Sequence, residues 1–252
     1  MGKIWNNVRG AGRLVALLAV IGWSAVLYAV DRGNRRDAAG KARWLQGACR
    51  RALRVLSVEV ESRGEPAQAA VIVANHMSYL DILVIASLTP VVFVAKKEVR
   101  GWPVFGWFAA KAGTRFIDRG RRGDVARIGE ELGPVMAAGL TIVLFLEGTT
   151  TDGSDVLPFK ASLLEPAVRN GWEVVPAGLS YAVPAGRTVE SEVCWWGDMT
   201  LAPHLWNFTT LPWVRARVAW GEGLVSIYEQ DRKALAVRLR DTLVKLRIEH
   251  GF

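Results

Sequence analysis

The sequence is poor in the residues that build redox and metal centres. Its 252 residues include only two cysteines and three histidines. Cys49 and Cys194 lie far apart and belong to no CxxC pair, so neither a disulfide framework nor a zinc cluster is indicated. We therefore expect no metal and no redox cofactor. The chain also lacks a GxSxG sequence, which argues against the nucleophile elbow of a serine hydrolase.

Long apolar runs are equally scarce, and this excludes a transporter with several membrane spans. The one candidate, Leu14–Val30, contains seventeen residues without a charge. As a helix it would measure about 26 Å, just short of the roughly 30 Å hydrocarbon core of a bilayer. A cleaved signal peptide is the alternative, but no convincing small-x-small site lies before Asp31 and basic residues follow at once. We predict a retained membrane anchor, whose length leaves open whether it spans the bilayer or dips into one leaflet.

Acidic residues are few near the N-terminus. Residues 1–60 carry eleven Lys and Arg against three Asp and Glu, whereas residues 61–252 carry twenty-one of each. A general nucleic-acid binder would spread its basic groups over a folded face, so this distribution favours a membrane surface as partner. Because the larger basic cluster follows Val30, the rest of the chain is expected on the cytoplasmic side.

Residues 43–56 show the spacing of one helix face. Its apolar members are Leu45, Ala48, Cys49, Ala52, Leu53 and Leu56, and four arginines surround them. Two interpretations remain open: a basic amphipathic helix on anionic lipid, or a domain helix packed on a sheet. We divide the chain into a membrane anchor with this helix, residues 1–60, and one catalytic domain, residues 61–252.

The remainder alternates between short β-branched runs and helical patterns. Such alternation predicts an α/β fold with helices on the faces of a sheet. The predicted strands are residues 70–74, 91–95, 141–145, 173–179 and 217–220. The predicted helices are residues 80–88, 103–112, 122–138, 160–169 and 231–249.

His76 directly follows the first of these strands, in the sequence VIVANHMSYLD. Residues at the carboxyl ends of strands face the ligand crevice of an α/β sheet. Asp81 lies five residues further on and could hold one ring nitrogen, so that His76 would act as a general base. The competing interpretation is a capping box, in which Ser78 and Asp81 only begin the next helix.

Two further segments place polar residues after apolar runs. Glu147, Gly148 and Thr149 follow the strand at 141–145 and open a tight polar loop suited to a ligand. Arg119, in the sequence GTRFIDRG, could pair bidentately with a phosphate or a carboxylate. An incidental loop acid and a plain surface arginine are the competing interpretations.

Taken together, these blocks resemble a known family. NHMSYLD resembles the NHxxxxD motif of the 1-acylglycerol-3-phosphate acyltransferases, and GTRFIDR, FLEGTTT and VVPAGLSY resemble that family's three further motifs in the same order. The resemblance covers roughly residues 70–185. It implies a mixed αβ glycerolipid acyltransferase domain with an N-terminal membrane-anchoring helix. It also implies two substrates: an acyl thioester on coenzyme A or acyl carrier protein, and a lysolipid that carries a hydroxyl group.

The resemblance assigns roles to individual residues. His76 would deprotonate the acceptor hydroxyl, and Asp81 would hold the imidazole. Substrate binding falls to a larger set: Asn75, Ser78, Arg119, Glu147, Gly148, Thr149, Thr150 and Lys160. Within that set, the loop at 147–149 would shape the acceptor site and Arg119 would bind an acidic headgroup.

Two positions depart from the family pattern. Leu146 replaces the usual proline, and Thr150 replaces the arginine of the FPEGTR block, which belongs to the phosphate-recognition element. The sequence EGTTTDG…LPFKASL is more similar to the branch that acylates lyso-ornithine lipid. Lys160 could instead restore the missing charge, so lysophosphatidic acid stays the second candidate acceptor.

We therefore predict a membrane-bound O-acyltransferase of bacterial lipid biosynthesis, at the cytoplasmic side of the inner membrane. A non-catalytic lipid-binding protein with the same fold is the alternative class, and intact His76, Asp81 and Glu147 argue against it. A serine hydrolase is the third, and the missing nucleophile elbow argues against that.

Overall fold

A mixed sheet forms the centre of the protein, whose computed structural model describes residues 2–118, 120–121, 123–225 and 231–251. The strands are β1 (Val58–Arg63), β2 (Val71–Ala74), β3 (Val91–Lys96), β4 (Arg115–Ile117), β5 (Thr141–Leu144), β6 (Glu173–Ala182), β7 (Val214–Trp220) and β8 (Leu224–Val225). The helices are α1 (Gly2–Val30), α2 (Gly33–Arg36), α3 (Ala38–Val55), α4 (Leu80–Leu88), α5 (Phe105–Lys111), α6 (Asp124–Ala137), α7 (Glu165–Asn170), α8 (Val189–Glu192), α9 (Leu201–Thr209) and α10 (Arg232–His250). Two 3₁₀ helices, Lys97–Gly101 and Ala161–Leu164, precede α5 and α7.

The strand order is β1-β7-β6-β2-β5-β3-β4, with β8 beside β6. β2 runs parallel to both of its neighbours, so that Val73 lies opposite Leu144 of β5 and Pro176 of β6. β7 is antiparallel to β6 and parallel to β1. The carboxyl ends of β5, β2 and β6 therefore meet at one edge of the sheet, and the loops that leave β2 and β5 lie side by side.

The central strands are buried on both faces. Ile72 packs into the apolar cluster that contains residues of α3, α4 and α9, whereas Val71 and Val73 pack into the cluster with α6, α7 and α10. Strands covered on both sides need apolar residues at every position, so they read as continuous apolar runs. The α/β fold and the predicted strands and helices are confirmed, with ends shifted by a few residues.

The predicted domain boundary at residue 60 is wrong. It falls inside β1, which pairs with β7 along its whole length from Val58 opposite Val214. The apolar face of α3 also belongs to the core, with Trp44 and Leu53 each 3% exposed. Of the two interpretations of residues 43–56, the structure shows the domain helix. The folded domain therefore begins at α3, because residues before position 60 pair with β7 and cover one face of the sheet.

The helix α1 carries its apolar side chains on the surface. It is long and apolar enough to cross a membrane, yet only 6% of its most apolar 18-residue stretch is buried. The side chain of Leu18 is 65% exposed. Arg9 donates to the carbonyl of Thr210 at 2.7 Å, and Trp44 donates to the carbonyl of Ser24 at 2.8 Å. α1 thus packs against the domain, with Leu17, Leu27 and Tyr28 partly buried on the core, and leaves much of its apolar surface uncovered.

We expect α1 to hold the protein on membranes in a way that salt does not reverse. About 1 M salt screens surface charge but does not remove apolar side chains from a bilayer, so the wild-type chain should still sediment with membranes. Leu18→Asp places a charge in the apolar surface, which costs about 2.5–3.5 kcal/mol at the centre of a bilayer, and should move protein to the soluble fraction. The control is Val237→Asp, at a side chain of α10 that is 61% exposed. Release of the wild-type protein by salt would contradict an inserted helix.

Candidate active site

His76 lies just beyond the carboxyl end of β2, and its backbone is held from two directions. Its N–H donates to Oε1 of Glu147 at 2.6 Å. Its carbonyl accepts from the N–H of Thr151 at 3.0 Å. Both partners belong to the loop that follows β5, the strand next to β2. Because adjacent strand ends bring these loops together, His76 is fixed by residues more than seventy positions away in sequence.

The imidazole of His76 is oriented by two contacts. Nδ1 lies 2.8 Å from Oδ2 of Asp81. The ring stacks on Phe145, with 4.0 Å between the ring centroids and 15° between the planes. The side chain is 17% exposed. Since Asp81 holds Nδ1, the nitrogen that remains for a substrate hydroxyl is Nε2, which is the arrangement of a general base with an orienting carboxylate.

Asp81 is fully buried, and its carboxylate accepts four hydrogen bonds. Oδ2 accepts from Nδ1 of His76 and from the backbone N–H groups of Met77 at 2.7 Å and Ser78 at 2.8 Å. Oδ1 accepts from the Tyr181 hydroxyl at 2.6 Å. A buried carboxylate is tolerated only when donors match it in this way. Asp81 therefore orders the turn before α4 and orients His76 at once, so the two sequence interpretations are compatible.

The buried side chain of Glu147 connects the loop after β2 with the loop after β5. Its Oε1 accepts from the N–H of His76, and its Oε2 accepts from the N–H of Leu157 at 2.8 Å. Burial raises its pKa to about 6, although the two backbone N–H groups oppose the shift. Both oxygens accept backbone N–H groups, so Glu147 positions His76, and its contact with a substrate stays a prediction.

Asn75 and Ser78 are hydrogen-bonded to backbone groups beside His76. The amide of Asn75 accepts from the N–H of Leu179 at 2.7 Å and donates to its carbonyl at 3.2 Å, so it continues the pairing of β2 with β6 beyond the strand end. The hydroxyl of Ser78 accepts from the N–H of Leu80 at 3.3 Å. Both residues are buried. Each is occupied with backbone groups, so their role in substrate binding stays a prediction.

The remaining predicted binding residues follow β5. Gly148 is buried and adopts φ +79°, a left-handed conformation that suits glycine. Thr149 is exposed and Thr150 is half-buried, so both hydroxyls can reach solvent at the loop surface. Lys160 is exposed, and its backbone N–H donates to the carbonyl of Leu146 at 2.9 Å. Arg119 lies outside the described residues.

Three residues that hold the site were not singled out in the sequence. Tyr181 donates to Asp81, Phe145 stacks on His76, and Thr151 holds the His76 carbonyl. Tyr181 stands in VVPAGLSY, where a hydroxyl in an otherwise apolar strand was the available signal. Leu179 and Tyr181 lie two residues apart in β6 and so point to the same face of the sheet.

Comparisons with known proteins identify the family of this chain. Residues 54–180, half of the chain, match the family model described as Acyltransferase. The chain is 40% identical over 176 residues to lyso-ornithine lipid O-acyltransferase from Brucella abortus (strain 2308), a match that covers 66% of each protein. It is 30% identical over 184 residues to 1-acyl-sn-glycerol-3-phosphate acyltransferase from Neisseria meningitidis serogroup B, covering 71% of each. The chain thus spans just under two thirds of the Brucella relative.

The fold also matches a solved structure. The crystal structure of the 1-acyl-sn-glycerophosphate acyltransferase PlsC from Thermotoga maritima superposes with a TM-score of 0.74, at 21% identity, over 99% of this chain and 98% of that one. At this identity the likeness shows that the two proteins share the fold of a mixed sheet with helices on its faces. On the family match, the chain belongs to the acyltransferase family.

Tyr181 provides the first test of the site. Tyr181→Phe keeps the ring but leaves Oδ1 of buried Asp81 without its donor, which costs about 1–3 kcal/mol. We expect kcat for acyl transfer to fall about tenfold or more, since 1.36 kcal/mol is tenfold in rate, with little change in the KM of the acceptor.

The control for this test is Tyr28→Phe, on α1, which should keep the wild-type kcat. An unchanged kcat for Tyr181→Phe would show that the hydroxyl serves packing alone.

Glu147 provides a second test, on stability. Its pKa of about 6 in the folded protein lies above the ordinary 4.5, so the folded state keeps this proton longer than the unfolded state. The resulting stabilisation is full below about pH 4.5 and is lost as the pH rises through about 6, a change of about 2 kcal/mol. Glu147→Gln should remove this part of the pH dependence of the free energy of unfolding in detergent. The exposed control, Glu130→Gln, should retain it, and equal slopes in both variants would contradict the assignment.

Proposed function

We propose that the protein is a membrane-bound O-acyltransferase that moves a fatty acyl group from an acyl thioester to the hydroxyl of a lysolipid. The main support for this proposal is the hydrogen-bonded pair of His76 and Asp81, with 2.8 Å between Nδ1 and Oδ2. The family match supports the reaction class. The exposed apolar surface of α1 supports a membrane as the source of the acceptor.

The proposed reaction uses His76 twice. Nε2 takes the proton of the acceptor hydroxyl while the oxygen attacks the thioester carbonyl, and Asp81 stabilises the imidazolium that forms. The new C–O bond is the ester of the product. The C–S bond then breaks, and the imidazolium returns its proton to the leaving thiolate. The two substrates supply all atoms of this reaction, so we propose no metal and no redox cofactor.

The donor and the location are part of the same proposal. The thioester is carried by acyl carrier protein or by coenzyme A, since both present the same reacting atoms. We place the domain at the cytoplasmic side of a bacterial inner membrane, where both donors occur. The basic residues that follow α1, Arg32, Arg35 and Arg36, are all exposed, and basic residues of this kind favour the cytoplasmic face.

For the acceptor, we propose lyso-ornithine lipid. A phosphomonoester leaving water requires several charged donors, and Thr150 offers one neutral hydroxyl where the family pattern has arginine. Ornithine presents a single carboxylate and an amine, which needs fewer cationic partners. The relative at 40% identity is named as a lyso-ornithine lipid enzyme, whereas the relative at 30% acts on 1-acyl-sn-glycerol-3-phosphate by its name. Lys160 is exposed, so lysophosphatidic acid is the second candidate.

The test is an acyl-transfer assay with both lysolipids and one acyl donor. We expect lyso-ornithine lipid to be preferred. Thr150→Arg should move the ratio towards lysophosphatidic acid by about ten- to a hundredfold, because a charged hydrogen bond contributes about 1.5–3 kcal/mol. A clear wild-type preference for lysophosphatidic acid would overturn the acceptor while leaving the chemistry intact.

The same assay tests the chemistry itself. His76→Ala should lower turnover roughly 10²–10⁴-fold, the usual contribution of a positioned general base. The matched control is His250→Ala, at an exposed histidine that ends α10. Turnover in the His76 variant near the wild-type rate would overturn the assignment of His76 as the general base. No transfer by the wild-type protein would favour a non-catalytic lipid-binding protein.

A further inference from the structure

Three large apolar side chains are exposed together at the start of α5. Trp102 is 38% exposed, Val104 is 46% exposed and Trp107 is 40% exposed. We call these three residues the α5 surface. Single exposed apolar residues are ordinary in proteins, but three within six positions form a patch, and a patch marks a binding surface.

The backbone fixes this surface rather than leaving it as a loose loop. Gly106 packs so closely on the preceding 3₁₀ helix that a Cβ there would lie 2.3 Å from the carbonyl oxygen of Arg100. Its N–H donates to the carbonyl of Trp102 at 2.9 Å. Val104 is held at φ +63°, a left-handed conformation that β-branched residues avoid. The chain thus accepts backbone strain at the position where an apolar side chain points to solvent.

The α5 surface is continuous with α1. The Trp107 ring lies 6.0 Å from the Tyr28 ring, measured between centroids, and 6.2 Å from the Trp44 ring. Val26 and Val30, on the last turns of α1, are 48% and 69% exposed. One apolar surface therefore runs from the end of the candidate membrane helix across Trp107 to the tip of the loop.

Basic side chains border this apolar surface. Lys111 places Nζ 5.7 Å from the centre of the Tyr28 ring, and Arg100, which is exposed, lies 5.8 Å from the Phe116 ring. Tryptophan side chains favour the interface between headgroups and acyl chains, and lysine and arginine favour anionic headgroups. Tryptophan beside cations is thus the composition that fits the interface of an anionic bilayer.

We propose that the α5 surface inserts into the headgroup region of an anionic bilayer and forms a membrane contact in addition to α1. The domain is then held at two places, by the apolar side of α1 and by the loop that carries Val104. The proposal rests on the exposed residues, the aromatic continuity and the flanking cations, and it is independent of the acceptor that the enzyme uses.

The test uses a nitroxide label on Val104→Cys in the full chain. Native Cys49 and Cys194 are both buried and their pKa values are raised to about 12 by burial, so the introduced thiol reacts selectively. The matched control is Val237→Cys, 61% exposed on α10, which packs on the opposite face of the sheet. The probe membrane consists of phosphatidylethanolamine and phosphatidylglycerol vesicles, and circular dichroism checks that both labelled proteins remain folded.

Collision of each label with oxygen, which concentrates in lipid, is compared with collision with a water-soluble nickel chelate. The label at 104 should collide more with oxygen once vesicles are added, and the label at 237 should continue to collide with nickel. Nickel accessibility at 104 equal to that at 237, while α1 keeps the protein on the vesicles, would overturn the proposal. Spin–spin broadening at 104 that grows with protein concentration would also overturn it, because it would identify a second copy of the chain as the occupant.

Discussion

The candidate active site depends on one constraint: the carboxylate of Asp81 is fully buried and must be matched by donors. The donors come from a neighbouring turn and from a distant strand. Met77 and Ser78 give backbone N–H groups, His76 gives a ring nitrogen, and Tyr181 gives a hydroxyl. The hydrogen bonds that the buried carboxylate of Asp81 requires therefore also fix the orientation of the His76 imidazole. The same contacts that make the burial tolerable set the orientation that general-base chemistry requires.

The sheet order explains why these partners can meet. β2 lies between β5 and β6, and all three run parallel, so their carboxyl ends share one edge. From β5 comes Glu147, which holds the His76 backbone. From β6 comes Leu179, which pairs with the Asn75 side chain. Removing either neighbour would leave the residues after β2 without the long-range contacts that order them, although every residue of the His–Asp pair lies within one short segment.

The separation of these partners along the chain also determines which features can be predicted from the sequence. Strands buried on both faces are visible as apolar runs, and the His76–Asp81 spacing is local, so both were found. β4 and β8, with three and two residues, exist only because a neighbour pairs with them. The hydrogen bonds of Asn75 with Leu179 are not predictable, because a motif does not show which way a side chain points. The donor to Asp81 was missed, since Tyr181 is a hundred positions away.

The arginines of the N-terminal region divide into those that bind the folded domain and those that stay exposed. Arg9 binds the carbonyl of Thr210 after α9, and Arg50 binds the carbonyl of Ser87 in the last turn of α4 at 2.7 Å. Helix carboxyl ends carry unpaired carbonyls and a partial negative charge, so these arginines stabilise the fold. The exposed arginines between α1 and α3, such as Arg35, are the ones left for anionic lipid. The charge excess that indicated a membrane thus divides into a structural part and a surface part, and only the second responds to salt.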